Sequence, residues 1–371
     1  MMFLVAPTLA AKLWLAISVF FVSTFAYAGD DAPLVDDGPY ISIKQDRLKA
    51  QWFCQSKLHS KDVSLAQLPR QFFYCDGNTA AVVESLAAAS DNISYQGDFK
   101  VAAISDFHGQ YELVIKLLTN NNIIDDKGDW AFGNGHFVIT GDVFDRGDKV
   151  TELLWFLYHL ENQAEAAGGK VHLLLGNHEV MVLNGDLRYL HPKYLEVAKL
   201  FATPFEQLFA ADTVLGSWLR SKSVLVKVNN MLFAHGGFHP ELAKEARSLA
   251  DINRVFKQNL VKSELAQPRQ GWGKELHGGK GPIWYRGYFK SKKNDSGASS
   301  EEIDLLLKHF AIEHLVVGHT SQKQVESRYQ GRVIAIDSSI KKGRYGEILL
   351  IDGEQKWRGT LTGEKIALKN K

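Results

Sequence analysis

The sequence predicts a layered α/β protein: two mixed β-sheets packed against each other as a sandwich and flanked by helices, an α/β/β/α order of layers. Three observations predict it. From Phe99 onward, short apolar runs of strand length alternate with segments of helical periodicity. Five of those runs end in a carboxylate, amide or imidazole, often beside a glycine, as strands do at the ligand-binding edge of an α/β sheet. Several further strand-like runs follow His319, and with 371 residues, 45% of them hydrophobic and 23% charged, the chain has ample material for a large core.

The first element is a leader. Lys12 precedes a 13-residue apolar run, Leu13 to Phe25, and Ala26-Tyr27-Ala28 supplies a small-x-small cleavage site, so residues 1–28 read as a secretory signal peptide. A membrane anchor is the alternative, and the run is short for a span of about 20 residues. Cleavage removes one base and no acid, which leaves basic and acidic side chains in balance. Such a chain has no overall basic field. Nucleic acid is not an expected partner, nor is a membrane once the leader is gone, and the expected address is periplasmic or secreted.

Residues 29–98 read as an N-terminal extension ahead of a main domain at 99–371. The aromatic patches ending in Cys54 and Cys75 suggest two short strands. An oxidising compartment predicts a disulfide between these two cysteines, with a pair of buried free thiols as the alternative.

In the main domain, the run from Phe99 to Ile104 ends in Ser105-Asp106-Phe107-His108-Gly109, where the two-residue spacing points Asp106 and His108 the same way. The run Phe137 to Thr140 ends in Gly141-Asp142-Val143-Phe144-Asp145-Arg146-Gly147, and Val171 to Leu175 ends in Gly176-Asn177-His178-Glu179. Met231 to Ala234 delivers His235-Gly236-Gly237, and Leu315 to Val317 delivers Gly318-His319-Thr320. About 184–222 reads as a helical insertion whose aromatics, Tyr189, Tyr194, Phe201, Phe205, Phe209 and Trp218, are expected mainly in the core. His277-Gly278-Gly279 repeats the His-Gly-Gly string without an apolar strand before it and reads as loop, as does the polar stretch 291–300.

Asp106, His108, Asp142, Asn177, His235 and His319 offer O and N donors suited to hard or borderline divalent cations, enough for two metals if Asp142 bridges them. Two such ions about 3.5–4 Å apart clamp both ends of an in-line displacement at phosphorus. Ligand type does not separate Mn, Fe, Zn and Co.

This ordered series of motifs resembles that of the calcineurin-like metallophosphoesterases, in the branch of the phosphoprotein phosphatases. The leader, the Trp284-Tyr285-Arg286-Gly287 segment and the length are similar to those of the Shewanella-like protein phosphatases. The resemblance implies the metallophosphoesterase fold and a dinuclear centre, with Asp106, His108 and Asp142 on the first metal and Asp142, Asn177, His235 and His319 on the second. It also implies His178 as proton donor to the leaving oxygen, Asp145 as its orienting carboxylate, and Arg146, Arg286 and Asn177 as holders of the phosphoryl oxygens. The activity implied is a metal-dependent phosphomonoesterase for phosphoproteins or phosphopeptides, with phosphotyrosine preferred, working by in-line attack of a hydroxide held by both metals.

These roles agree with elementary chemistry. An alkoxide leaves phosphorus poorly, an imidazole can protonate it, and a paired carboxylate raises the imidazole's pKa and fixes its tautomer. A guanidinium fork matches phosphate oxygens. Two residues depart from the family pattern, Ser105 where Gly is usual and Phe144 where Val is common, and Phe144 is placed to reshape the floor near Asp142. Glu179 is expected to support the site without ligating. Two other readings stand beside this one: a diadenosine polyphosphate or nucleotide hydrolase on the same metal core, and a non-catalytic metal-dependent anion-binding protein. An intact proton donor with its carboxylate partner counts against the last.

Overall fold

A computed structural model describes residue 1 and residues 34–77, 79–86, 92–289 and 297–370. The leader and most of the polar stretch 291–300 lie outside the described residues. Two six-stranded sheets carry the fold. In the first, the strands lie in the order Lys365–Ala367, Gln355–Thr360, Glu347–Asp352, Val101–Ile104, His136–Ile139, Lys170–Leu173. In the second, the order is Glu326–Arg328, Val333–Ala335, His314–Val317, Met231–Ala234, Leu225–Val228, Ser94–Tyr95.

Side-chain alternation decides what each strand face meets. Val101, Ala103 and Val138 of the first sheet pack with Val226, Met231, Phe233 and Val316 of the second in a core sealed between the sheets. The intervening Ala102, Ile104, Phe137 and Ile139 belong to the larger core that also holds Leu117 of helix Tyr111–Asn120 and Leu153 and Leu157 of helix Val150–Ala166. Leu315 and Val317 join the same core with Ile303 and Leu306 of helix Ser300–Phe310. Among the described residues no helix is long and apolar enough to cross a membrane.

The parallel parts of both sheets place the site. Val101–Ile104, His136–Ile139 and Lys170–Leu173 run parallel, and so do Met231–Ala234, His314–Val317 and Val333–Ala335. In each sheet the chain therefore leaves several strands on one edge, and those exits carry the polar motifs. The observed strands fall within one or two residues of the expected runs, because each is an uninterrupted apolar stretch.

The segment before the main domain forms a three-stranded antiparallel sheet, Asp37–Lys44, Arg47–Cys54 and Lys57–Ser64, and a hairpin of Arg70–Phe73 with Thr79–Val83. The Cys54–Cys75 disulfide is present and ties the two together. Residue 98 is not a boundary in the sheets, since Ser94–Tyr95 pairs in parallel with Leu225–Val228 as an edge strand of the second one. The segment also docks on helix Val150–Ala166, where the Trp155 indole donates to the Pro39 carbonyl at 2.9 Å and the Tyr158 hydroxyl to that of Ser85 at 3.0 Å. Leu34 to Lys371 thus make one compact unit.

The stretch 184–222 holds helix Pro192–Phe201, a 3-10 turn Phe205–Phe209 and helix Val214–Ser221. Tyr194, Phe205 and Phe209 are buried as expected. Tyr189 is not: it is 43% exposed and lies in the loop ahead of the helix, so the periodicity counted it on a face it does not share.

Candidate metal centre

Asp106, His108, Asp142, Asn177, His235 and His319 come together at the strand exits, all at most 4% exposed. Four of them, Asp106, His108, Asp142 and His319, have left-handed backbones with φ between 48° and 62°. That conformation is unfavourable for a residue with a Cβ and persists where the surroundings over-determine it. Neighbouring loops supply the restraint: the Asp106 N–H donates to the Gly141 carbonyl at 3.1 Å and the His108 N–H to that of Asp142 at 3.0 Å. Glu179, completely buried, accepts the N–H groups of Gly176, Asp142 and Val143 at 2.7, 2.9 and 2.7 Å. Only glycine fits at 176, where a Cβ would stand 2.3 Å from Asp142 Oδ1.

Asp142 is the hub. Its Oδ2 lies 3.2 Å from His235 Nε2 and 3.6 Å from His108 Nε2, and its Oδ1 accepts the His178 N–H at 2.9 Å. Asp106 Oδ1 stands 3.8 Å from His108 Nε2. The other oxygen of Asp106 accepts the Ser105 hydroxyl and, at 2.9 Å, the His319 N–H. His235 Nε2 also lies 2.9 Å from Asn177 Oδ1 and 3.0 Å from His319 Nδ1. A carbonyl can only accept, so the 2.7 Å contact of His108 Nδ1 with the Phe144 carbonyl and the 2.9 Å contact of His235 Nδ1 with that of Thr140 assign protons to both Nδ1 atoms. The Nε2 lone pairs are left to face the cluster.

These donors fit divalent cations. His108 Nε2 is buried without a hydrogen-bond partner while facing two carboxylates. Among the described residues, His108, Asp142 and His178 form one group, and Asp142, His235 and His319 another, whose donor atoms lie within 4.8 Å of one another. The first group includes His178 and leaves Asp106 just outside.

Electrostatics point the same way. Burial pushes the His108 pKa down to about 3, the neutral form a metal requires. Burial also opposes a charge on His235, but the Asp142 carboxylate outweighs it and lifts that ring to about 9. Burial, reinforced by Asp337, raises Asp106 to about 8. Without a cation the cluster therefore retains protons that metal binding displaces.

His178 opens the helix Asn177–Leu183, and its Nδ1 hydrogen-bonds Asp145 Oδ2. Its Nε2 faces the centre, 3.8 Å from Asp142 Oδ2. Burial disfavours its charge, but Asp142 and Asp145 prevail and raise its pKa. Arg286, exposed, is steadied by donating to the His319 carbonyl at 2.9 Å and to the Thr320 hydroxyl at 3.0 Å. Arg146, also exposed, places its guanidinium carbon 5.1 Å from the Tyr189 ring centre. Arg188 stands 5.6 Å from the same ring, which in turn lies 5.3 Å from the His178 ring.

The six expected donor residues thus meet in one cluster, with His178 and Asp145 on one side of it and Arg286 beside His319. Sequence reasoning counted Tyr189 among the core aromatics, and the one signal against that was the Gly185-Asp186 break in the helical pattern ahead of it. It missed Asp337, which is fully buried and accepts the Ser321 hydroxyl at 2.7 Å. Phe144 serves through its carbonyl, and its ring is core, 5.1 Å from Phe209. His277 stacks on Phe256 at 4.0 Å, away from the cluster, as a packed loop residue.

Residues 99–323 match the family model of the calcineurin-like phosphoesterases. Among solved structures, the chain is similar to a cold-active protein-tyrosine phosphatase of a psychrophilic Shewanella species. Identity is 40% and the TM-score 0.81, over 90% of this chain and 99% of that one. An uncharacterized protein of Schizosaccharomyces pombe is 30% identical over 259 residues, 67% of this chain and 75% of its own length. The Shewanella-like protein phosphatase 1 of Plasmodium berghei is 28% identical over 264 residues, 67% of this chain and 69% of its own length.

Proposed function

The chain belongs to the calcineurin-like phosphoesterase family, and from that premise we propose that it is a metal-dependent protein phosphatase acting on phosphotyrosine. The observation that carries the substrate choice is the exposed Tyr189 ring, 5.3 Å from that of His178. If His178 protonates the leaving oxygen, the leaving group stands beside that ring, and an aryl group gains stacking there that a seryl methylene lacks. The similar Shewanella enzyme is named as a protein-tyrosine phosphatase, which supports the same choice.

Asp106, His108, Asp142, Asn177, His235 and His319 would hold two divalent cations, which when bound supply Lewis-acid charge at phosphorus and an acidified water. The chain's own groups do the rest. Arg146 and Arg286 offer donor forks to the non-bridging oxygens, with Arg286 preset by its bonds to His319 and Thr320. His178 delivers the proton from Nε2, while Asp145 on Nδ1 fixes the tautomer and favours the protonated ring.

A phenol leaves more readily than an alcohol. His178→Ala should therefore lose more rate on a phosphoserine peptide than on an aryl phosphate, and equal losses would remove His178 from this role. Turnover of an aryl phosphate by the metal-loaded protein, abolished in Asp142→Asn, would dispose of the anion-binding alternative. The dinucleotide hydrolase is the weaker enzyme reading, because relatives that match over most of the chain are named protein phosphatases. A periplasmic or secreted address is supported by the leader pattern and by the Cys54–Cys75 disulfide. A mature N-terminus at residue 29 in the exported fraction would test it.

A further inference from the structure

The N-terminal sheet meets the main domain at a buried polar cluster that leads to the loop bearing Asp145 and Arg146. Asp37, the first residue of strand Asp37–Lys44, is 3% exposed. Its Oδ1 lies 2.8 Å from Lys193 Nζ, and its Oδ2 accepts the hydroxyls of Tyr40 at 2.5 Å and Thr151 at 3.4 Å. Lys193 Nζ also donates to the Asp148 carbonyl at 2.7 Å. That carbonyl takes a second donor, the Tyr194 hydroxyl, at 2.9 Å, and the same hydroxyl accepts the Val150 N–H at 2.6 Å.

Asp145 and Arg146 are consecutive left-handed residues, with φ of 73° and 67°. Two such residues in a row form a turn that must be held from outside. One side is held by the Gly147 N–H on the His108 carbonyl at 2.9 Å and the Arg146 N–H on the Tyr189 carbonyl at 3.0 Å. The far end is held at Asp148 by Lys193 and Tyr194. Lys193 is mostly buried, and Asp37 neutralises it there, with Glu152 farther away at 3.5 Å.

We infer that Asp37 is a positioning residue for catalysis: through Lys193 it fixes the Asp148 carbonyl, and so the turn that sets Asp145 against His178. The N-terminal sheet is then a working part of the proton-donating half of the site. The inference rests on the reading of His178 as proton donor. Replacing Asp37 lets Lys193 seek water and leaves the Asp148 carbonyl on the Tyr194 hydroxyl alone, so the turn loosens and Asp145 shifts, and proton delivery suffers while the metal donors keep their places.

The test compares full-length, metal-loaded wild type, Asp37→Asn and His178→Ala, with metal content and thermal unfolding measured on each preparation. Rates are taken on p-nitrophenyl phosphate, whose leaving group needs little help, and on a phosphoserine peptide, whose leaving group needs a proton. Asp37→Asn should keep its metals and lower the phosphoserine to p-nitrophenyl rate ratio about tenfold, in the same direction as His178→Ala. If the unpaired Lys193 prevents folding, the double variant Asp37→Asn/Lys193→Met removes the stranded charge and should show the same fall. A general weakening of the fold lowers both rates together. An unchanged ratio in a folded variant overturns the inference whenever His178→Ala does shift it. No shift in His178→Ala overturns the donor assignment and takes this inference with it.

Discussion

Replacing Glu179 with Gln should loosen the metal centre without touching a ligand. The carboxylate accepts Gly176 N–H and Asp142 N–H on Oε2 at 2.7 and 2.9 Å, and Val143 N–H on Oε1 at 2.7 Å. The Phe144 N–H also reaches Oε1, at 3.4 Å, so each oxygen serves two donors, and an amide, with one acceptor oxygen and an NH2 group, leaves two N–H groups without a partner. At about 1–3 kcal/mol for each buried unsatisfied donor, the loss is roughly 2–6 kcal/mol. That is a large share of a net stability of about 5–15 kcal/mol. At about 1.5 °C per kcal/mol for a unit of this size, from roughly 2.1 cal/mol/K of unfolding entropy per residue, the unfolding midpoint should fall by roughly 3–9 °C. The Asp142 N–H is one of the four donors, so metal affinity should fall as well, by about 10- to 100-fold. Thermal unfolding of metal-free and metal-saturated protein, with a competitive metal titration, measures both. A Gln variant with the wild-type midpoint and affinity would refute the claim that Glu179 holds these loops.

Tyr189→Ala should raise KM for a phosphotyrosine peptide roughly five- to tenfold and leave a phosphoserine peptide nearly unchanged, with Tyr189→Phe close to wild type. Equal shifts on both peptides would put the leaving group elsewhere. In the metal-free protein His235 holds its proton up to about pH 9, above the ordinary imidazole range. Its contribution to stability is therefore complete below about pH 6.5 and lost as pH rises through about 9. Metal binding near pH 8 should release that proton, so affinity weakens as pH falls; calorimetry in two buffers of different ionisation enthalpy reads it, and identical heats would count against the assignment. Exchanging Cys54 and Cys75 for Ser should cost about 3 kcal/mol, given a separation of 21 residues, and an unchanged urea midpoint would show that the bridge constrains nothing.

What was legible in the sequence was local. Each candidate ligand follows an apolar strand by a few residues, so Asp106, His108, Asp142, Asn177, His235 and His319 could be placed at strand exits from spacing alone, and the same strands announced the layers. What was not legible depends on distant partners. Ser94–Tyr95 is too short and too polar to read as a strand until Leu225–Val228 pairs with it. Asp37 looks like one more acid in an acidic opening, and only the fold brings Lys193 to it. Tyr189 fits a helical spacing on paper, yet a loop turns it toward His178. The Phe144 ring was expected near Asp142, but Phe209 of the insertion claims it.

The most direct test of the central claim is release of inorganic phosphate from matched phosphotyrosine and phosphoserine peptides and from diadenosine tetraphosphate, with metal content determined on the same protein. The expected result is a dominant phosphotyrosine rate with close to two metals per chain, lost together with the metals in Asp142→Asn. A dominant dinucleotide rate, or full activity in metal-stripped protein, would contradict it.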